Sequence, residues 1–493
     1  MARCIMVQGT MSGAGKSLLA TALCRIFRQD GLRVAPFKSQ NMALNSYITR
    51  DGLEMGRAQV AQAEAAGREP DVRMNPVLLK PSSDTGSQLI VNGEVRGQYR
   101  AAEYFKMKKS LVPEILRAYE SLAAENDVIV IEGAGSPAEI NLRDGDIVNM
   151  GLAELVNAPV LLVGDIDRGG VFAQLYGTVA LLQPEERARV VGTVINKFRG
   201  DVELLRPGLA MLEEKTGVPV LGVVPYTRAD IDDEDSLAPC LAQTQQRRPL
   251  DIAVVRLPRI SNFTDFSPLE SHPALGVRYV ERAGQLGEPD LVVLPGTKNT
   301  MGDLAWMRQN GLEAAVKKLA AAGTPVLGVC GGYQMLGTAL DDPDGVEQGG
   351  RMDGMGLLPC ATRFTGQKVR TRVQACAAAG PFVGAQLDGY ESHMGRTERG
   401  GTPPFCLLAD GTPEGAAAGN VFGTYLHGLF DTGELTEKLA AWLLACKGLS
   451  AADVRAESHA AYKERQYDLL ADAVRAAVDI AAVYRAMDAC AAK

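Results

Sequence analysis

The chain has 493 residues, 46% of them apolar and 22% charged, and a formal net charge of −8. That length calls for roughly two to four domains of soluble type, and the negative balance argues against a nucleic-acid partner. Nine cysteines, odd in number and scattered without a CxxC pair, argue against a disulfide frame or a zinc site and for reduced thiols. The first residues lack the basic stretch, apolar run and cleavage site of a signal peptide. No run of about 18 uninterrupted apolar residues marks a membrane span, so a cytoplasmic protein is expected.

In chain order, short apolar runs recur at 4–7, 128–131, 160–163, 190–195 and 218–224, with helical patterns such as 17–30 and 111–124 between them. Strands alternating with helices predict a parallel sheet covered on both faces. The stretch 229–250 breaks the pattern. It carries Asp230, Asp232, Asp233, Glu234 and Asp235, then Pro239 and a polar run, and it reads as the interdomain connection. A second series starts at Asp251, continues through 291–294, 326–329 and 421–425, and ends near Cys446. The tail has helical spacing at Leu469, Leu470, Val474, Ala477, Val478, Ile480 and Val483. The expected fold is α/β: two doubly wound domains, at 1–235 and 251–446, with a helical C-terminal tail at 447–493.

The first domain opens on Gly9-Thr10-Met11-Ser12-Gly13-Ala14-Gly15-Lys16-Ser17, between a strand and a helix. Thr10, Gly13, Ala14 and Gly15 offer a backbone that can turn its N–H groups toward phosphate, and the helix N-terminus adds its positive dipole end. Lys16 reaches the terminal phosphates and Ser17 suits Mg²⁺. The strict P-loop spacing fails because Thr10 holds the first glycine position, with Gly9 one residue early. The alternative is a Gly-rich turn with a solvated lysine. Glu132 ends the run 128–131, where an acid points toward the ligand crevice and suits Mg²⁺ or its water shell. Lys38 follows another extended run and can neutralise a further anion. Asn196 ends a strand with a donor and an acceptor that suit a purine edge. Asp146 and Asp165 lie in polar segments of the kind that meet substrate. Capping, turn and solvated roles are the bland alternatives at these positions.

The second domain holds Pro325-Val326-Leu327-Gly328-Val329-Cys330-Gly331-Gly332-Tyr333-Gln334-Met335. An apolar strand running into a thiol and then a helical pattern describes a nucleophile elbow, with backbone N–H groups such as that of Gly331 beside the sulfur. A thiol nucleophile needs a base. Of the four histidines, His427 is best placed because it ends a strand in the same domain. His393 competes, His272 sits beside Pro273, and His459 lies in the tail. Gly296, in Leu294-Pro295-Gly296-Thr297-Lys298, is the candidate for the other half of an oxyanion site. No acid closely follows His427. The orienting group is absent, a backbone carbonyl, or a residue from elsewhere, Glu391 included.

These residues carry a resemblance. The carboxyl half resembles class I glutamine amidotransferases through Gly328-Val329-Cys330-Gly331-Gly332 and 423–428. The amino half resembles dethiobiotin-synthetase-like ATPases, whose loop has the same displaced glycine. Together, in this order and length, they resemble the cobyric acid synthase family. Gln40-Asn41-Met42-Ala43-Leu44-Asn45-Ser46, the stretches 132–142 and 165–172, Asn196-Lys197-Phe198-Arg199-Gly200-Asp201 and 389–395 support that match. The resemblance spans essentially the whole chain.

It implies ATP- and glutamine-dependent amidation of the b, d, e and g carboxylates of adenosylated cobyrinic acid a,c-diamide, with Mg²⁺, in cobalamin biosynthesis. It makes Cys330 the glutamine nucleophile and His427 its base, and glutamine, ATP and a corrinoid acid the small-molecule partners. It says nothing of oligomeric state. Alternatives are a cobyrinic acid a,c-diamide synthase of the same plan, and a P-loop switch protein whose amidotransferase-like domain is inert.

Overall fold

The computed structural model describes residues 2–81, 86–232, 241, 248–450 and 457–491. Most of the predicted connection at 229–250, residues 233–240 and 242–247, lies outside the described residues. The chain forms two compact units. One comprises Met1–Met42, Glu54–Asp232 and Lys463–Lys493; the other Ala43–Leu53 and Asp233–Tyr462.

The main sheet of the first unit has six strands: β1 (Arg3–Gly9), β2 (Val34–Phe37), β3 (Val128–Glu132), β4 (Val160–Asp165), β5 (Val190–Phe198) and β6 (Val220–Pro225). Their order is β6-β5-β4-β1-β3-β2, and all pairs are parallel. The central strands are buried along their whole length, as parallel strands covered by helices on both faces must be. Helix α1 (Lys16–Gln29) follows β1 and buries Leu19, Leu23, Ile26 and Phe27. β1 lies between β3 and β4, so crossovers leave it in both directions. That is the switch point where α/β sheets open a crevice at the carboxyl ends of their strands. Those ends are Gly9, Glu132 and Asp165.

The predicted tail is not a separate piece. Residues 463–493 belong to the first unit, and 447–462 to the second. The helix His459–Ala477 and its successor Ile480–Ala491 bring Tyr467, Leu470, Val474, Val483 and Met487 into the core that contains Leu23 and Phe27. Arg25 anchors the first of them by ion pairs to Glu464 (2.8 Å) and Asp468 (2.8 Å). Leu469, expected on the apolar face, is half exposed, whereas Tyr467 is buried.

The second unit has a sheet of β7 (Leu250–Val255), β8 (Leu275–Val280), β9 (Leu291–Leu294) and β10 (Val326–Val329). A second, largely antiparallel sheet contains β11 (Ala361–Ala377) and β12 (Gln386–Glu398). Then come β13 (Ala416–Ala418), β14 (Val421–Thr424) and β15 (Leu426–His427). The first sheet runs β8-β7-β9-β10-β14-β13, parallel except for the β13–β14 hairpin. After Thr424 the chain changes sheets, and His427 pairs with Tyr390 of β12. This switch brings His427 to the end of β10, where Cys330 lies. Two doubly wound α/β sheets are therefore present, as the sequence leads one to expect.

Candidate active sites

In the first unit the loop after β1 wraps back over the start of α1. Gly15 precedes the helix with φ 97°, a conformation glycine adopts without strain. A Cβ there would lie 1.9 Å from Asn196 Nδ2, so the position excludes a side chain on two counts. Asn196 donates from Nδ2 to Ala14 O (3.1 Å) and accepts at Oδ1 from Lys197 N (2.8 Å). The Nδ2 end fastens the loop to β5, and the Oδ1 end is held within β5. Lys197, unremarked in the sequence, donates to Gly13 O (2.7 Å) and pairs with Asp165 (2.8 Å). Thr10 bonds Gln174 through its hydroxyl (3.1 Å).

Lys16, Ser17, Lys38 and Glu132 converge. Ser17 Oγ donates to Glu132 Oε1 at 2.9 Å, and Lys38 Nζ reaches the same oxygen at 3.0 Å. Gln62 donates to Oε2. Lys16 Nζ donates to Met11 O and Gly135 O, each at 3.0 Å. Burial alone would push the Glu132 carboxyl up; the Lys38 charge and three hydrogen bonds hold it below its usual value instead. It is an ionised carboxylate beside a hydroxyl at a helix N-terminus. These hard oxygens suit Mg²⁺, which keeps most of its shell as water and phosphate oxygen. Among the described residues no cluster of three or more His, Cys, Asp or Glu forms a ready-made metal cage. Asp146 does not join this group of contacts. It accepts from Val148 N (2.8 Å), Asn149 N (3.0 Å) and Gly151 N (3.0 Å), capping the next helix.

In the second unit Cys330 stands between β10 and α2 (Gly331–Leu336) with φ 52° and ψ −107°. A non-glycine residue at positive φ is strained by about 1–3 kcal/mol, and such strain gathers at functional turns. Packing holds the turn: Cys330 N donates to Thr424 O (2.8 Å), and a Cβ on Gly332 would lie 1.9 Å from Leu294 O. This is the elbow the sequence predicts.

His427 hydrogen-bonds to Asp265, and the Cys330 sulfur lies close enough to act on the charge of the ring. The distance from Nδ1 to Asp265 Oδ2 is 2.6 Å, and Asp265 Oδ1 accepts from Gly428 N at 3.0 Å. One carboxylate thus fixes the ring and the turn that follows it. Burial pushes the imidazole down, but the Asp265 charge and the Cys330 sulfur overcome this and raise it to about 10. That direction favours the imidazolium, the form that stabilises a thiolate. A Cβ on Gly296 would lie 3.1 Å from His427 Cε1, and one on Gly331 would lie 3.1 Å from Thr297 N. The backbone at 296–297 therefore lies against both His427 and Gly331.

The third member, Asp265, sits in the 3-10 turn Phe263–Phe266, 162 residues before its histidine. No local spacing could have announced it. A lone acid between two phenylalanines that turn out buried was the only signal. Glu391, left open as a partner, instead stands 3.5 Å from His393 Nε2. His393 stacks on Tyr425 at 3.7 Å and bonds Gly395 O through Nδ1. His272 is buried, with Nδ1 accepting from Ala274 N.

Two family descriptions match the chain: "CobQ/CobB/MinD/ParA nucleotide binding domain" over residues 5–239, and "CobB/CobQ-like glutamine amidotransferase domain" over 251–435. A cobyric acid synthase from Ruminiclostridium cellulolyticum is 58% identical over 501 residues, covering 99% of this chain and 98% of the relative. This chain belongs to the cobyric acid synthase family. Further members are similar at comparable length. That of Lachnoclostridium phytofermentans is 53% identical with 99% of each chain covered, and that of Klebsiella pneumoniae strain 342 is 53% identical with 99% and 98% covered. Among solved structures, the "Structure of PurLQS from Thermotoga maritima" covers 41% of this chain and 99% of that one at 21% identity. Its TM-score of 0.32 is too low to support a comparison of detail. The cobyric acid synthase family thus joins a nucleotide-binding domain to a glutamine amidotransferase domain in this chain. Among the described residues no helix is long and apolar enough to cross a membrane.

Proposed function

We propose that the protein uses ATP and glutamine to amidate the b, d, e and g side-chain carboxylates of adenosylcobyrinic acid a,c-diamide, giving adenosylcobyric acid. The observation that supports this reading is the His427–Asp265 pair beside the strained Cys330 turn, in a chain whose other unit sets Lys16 and a Ser17–Glu132 pair at the start of a helix. An inert amidotransferase-like domain would have no need of a buried histidine–aspartate pair beside a strained thiol turn.

In the second unit the Cys330 sulfur attacks the amide carbon of glutamine. The oxyanion is held by backbone N–H groups at Gly296 and Gly331. His427 gives its proton to the departing nitrogen, ammonia leaves, and a thioester remains. Water then attacks the thioester, His427 takes the water's proton, and glutamate and the thiolate are released.

A carboxylate cannot be displaced by ammonia directly, because oxide would have to leave. In the first unit an acceptor carboxylate oxygen attacks the γ-phosphorus of ATP, ADP departs, and an acyl phosphate forms. Lys16 and the loop N–H groups at Gly13, Ala14 and Gly15 offset the charge on the transferring phosphoryl group. Mg²⁺ held by Ser17 and Glu132 would add positive charge at the phosphate oxygens. Ammonia attacks the acyl carbon and expels phosphate. Lys38 keeps Glu132 ionised, while Asn196 and Asp165 with Lys197 fix the loop. A substrate contact by Asp165 or Asp146 would come in addition to the hydrogen bonds described above. A cytoplasmic workplace belongs to this reading, supported by the free state of all described cysteines.

Incubation with candidate corrinoid acids, ATP, Mg²⁺ and amide-¹⁵N glutamine, read by mass spectrometry, tests it. The a,c-diamide should gain labelled nitrogen at each of the b, d, e and g positions. Labelling confined to the a and c positions of the unamidated acid would replace this reading with that of an a,c-diamide synthase.

A further inference from the structure

Residues 43–53 belong by sequence to the stretch that matches the nucleotide-binding family, yet they pack with the second unit. Their strand Ser46–Ile48 lies on β11 and β12. The grip centres on the backbone of Ser46. The Tyr390 hydroxyl donates to Ser46 O at 2.9 Å, and Asn262 Nδ2 donates to the same oxygen at 3.3 Å. Asn262 Oδ1 accepts from Ser46 N at 3.4 Å, and Asn262 Nδ2 also donates to the Tyr390 hydroxyl at 2.8 Å. The ring of Tyr47 meets that of Tyr390 edge-on at 5.6 Å. Ser46, Asn262 and Tyr390 are each buried.

The two residues that hold Ser46 are also the neighbours of the base and its acid. The Tyr390 ring is stacked on the His427 imidazole, with centroids 5.3 Å apart and planes 25° apart. Asn262 heads the turn that carries Asp265, in the left-handed conformation (φ 53°). An aromatic face favours a cation above it, so the stack favours the imidazolium, and its tilt fixes the plane in which His427 can meet Cys330.

We propose that Tyr390 is a positioning residue of the glutaminase site, and that residues 43–53 hold it in place. A segment that belongs in sequence to the nucleotide-binding domain then sets the plane of the base that releases ammonia. Tyr390 is not a catalytic residue on this view; it acts through His427. The proposal rests on reading His427 as that base.

The test uses the full-length chain with Tyr390→Phe, Asn262→Asp and Tyr47→Ala. Tyr390→Phe keeps the ring and loses the hydroxyl. Asn262→Asp tolerates the left-handed backbone and loses the donor to Tyr390 and Ser46. Tyr47→Ala removes the ring that braces Tyr390 from within the segment. Each should lower kcat for glutamine-supported synthesis by about tenfold, the size expected when a reacting group is slightly misplaced. KM for glutamine should stay within about threefold, and ammonia-supported synthesis should not change. Alkylation of Cys330 by iodoacetamide, followed against pH, should show a displaced basic limb in the variants.

Wild-type kcat and an unchanged alkylation profile in both Tyr390→Phe and Asn262→Asp would overturn the proposal. So would an equal loss with ammonia, which would mark a general structural role. If Tyr47→Ala alone behaved as wild type, the hold by the segment would be refuted. Failure of the wild-type chain to hydrolyse glutamine would instead overturn the reading of the thiol site itself.

Discussion

Replacing Asp265 with asparagine keeps the shape of the side chain and removes its charge from a buried site. In the structure that charge sits 2.6 Å from His427 Nδ1 and accepts a second bond from Gly428 N. Raising the imidazole from 6.5 to about 10 corresponds to about 5 kcal/mol between its two protonation states. Asp265 is the first of the two groups that supply this, with Cys330 the other. An asparagine can also turn its amide N–H₂ toward Nδ1 and fix the wrong tautomer, a change that costs about 10⁴ in kcat in a serine triad. A cysteine needs less help to ionise, so a loss of about 10²–10⁴ is expected, equivalent to about 3–5 kcal/mol of barrier. The assay is glutamate release and corrinoid amidation by the full chain with ATP, using glutamine or ammonium salt as nitrogen source. Glutamine-supported turnover should collapse and ammonia-supported turnover should remain. The pH profile carries the sign. The carboxylate raises the imidazole, so its loss must move the basic limb of kcat/KM from near 10 down toward the ordinary histidine range. The same shift bears on stability: the contribution of a group raised on folding is fully present below about 6.5 and fades as pH rises through about 10. The wild type should therefore lose more stability than the variant across that window, measured by denaturant titration at several pH values. Full glutaminase activity in Asp265→Asn, or an unmoved basic limb, would refute the reasoning.

Cys330→Ala should abolish glutamine-supported synthesis and leave ammonia-supported synthesis, measured side by side; loss of both would remove the thiol from its assigned step. Lys16→Ala should stop amidation with either nitrogen source, and retained turnover with ammonia would exclude Lys16 from phosphoryl transfer. Glu132→Gln leaves the buried Lys38 ammonium without its carboxylate, so a destabilisation of about 3–5 kcal/mol is expected, along with weaker nucleotide binding. Chemical denaturation and ATP titration check these separately. Gly15→Ala should disable nucleotide binding, because its Cβ would meet Asn196 Nδ2; wild-type affinity for ATP would contradict the packing described.

What was legible in the sequence was whatever chemistry is written locally. Gly15-Lys16-Ser17 after an apolar strand, and Val329-Cys330-Gly331 after another, each declare a strand–turn–helix with a reactive group at its turn. Glu132 and His427 were legible because each ends a strand, and strand ends in α/β sheets face the crevice. Asp265 was not legible, because its partner lies 162 residues away and only the formed sheets bring them together. Lys197 was overlooked for a related reason. Its reach to Gly13 and Asp165 depends on a left-handed backbone (φ 60°) that lysine rarely adopts. The tail shows what pattern leaves open. Apolar spacing predicted its helices, but spacing does not say which core receives them. The acids Glu464 and Asp468 on its first helix find Arg25 on α1, a pairing that single-sequence pattern cannot supply.

Both sites follow one rule of construction. Each buries an ionised pair, Lys38 with Glu132 and His427 with Asp265, and isolated charges cannot be buried at tolerable cost. The partners come from different strands and turns: Lys38 follows β2 and Glu132 ends β3, while His427 ends β15 and Asp265 lies in the turn before β8. Neither pair exists until its unit is folded, so the charge states the chemistry needs are properties of the assembled sheet and not of the residues. Reactive groups are thereby assembled only where the surrounding packing can also control water, which an acyl phosphate needs kept out and a thioester needs admitted for its hydrolysis.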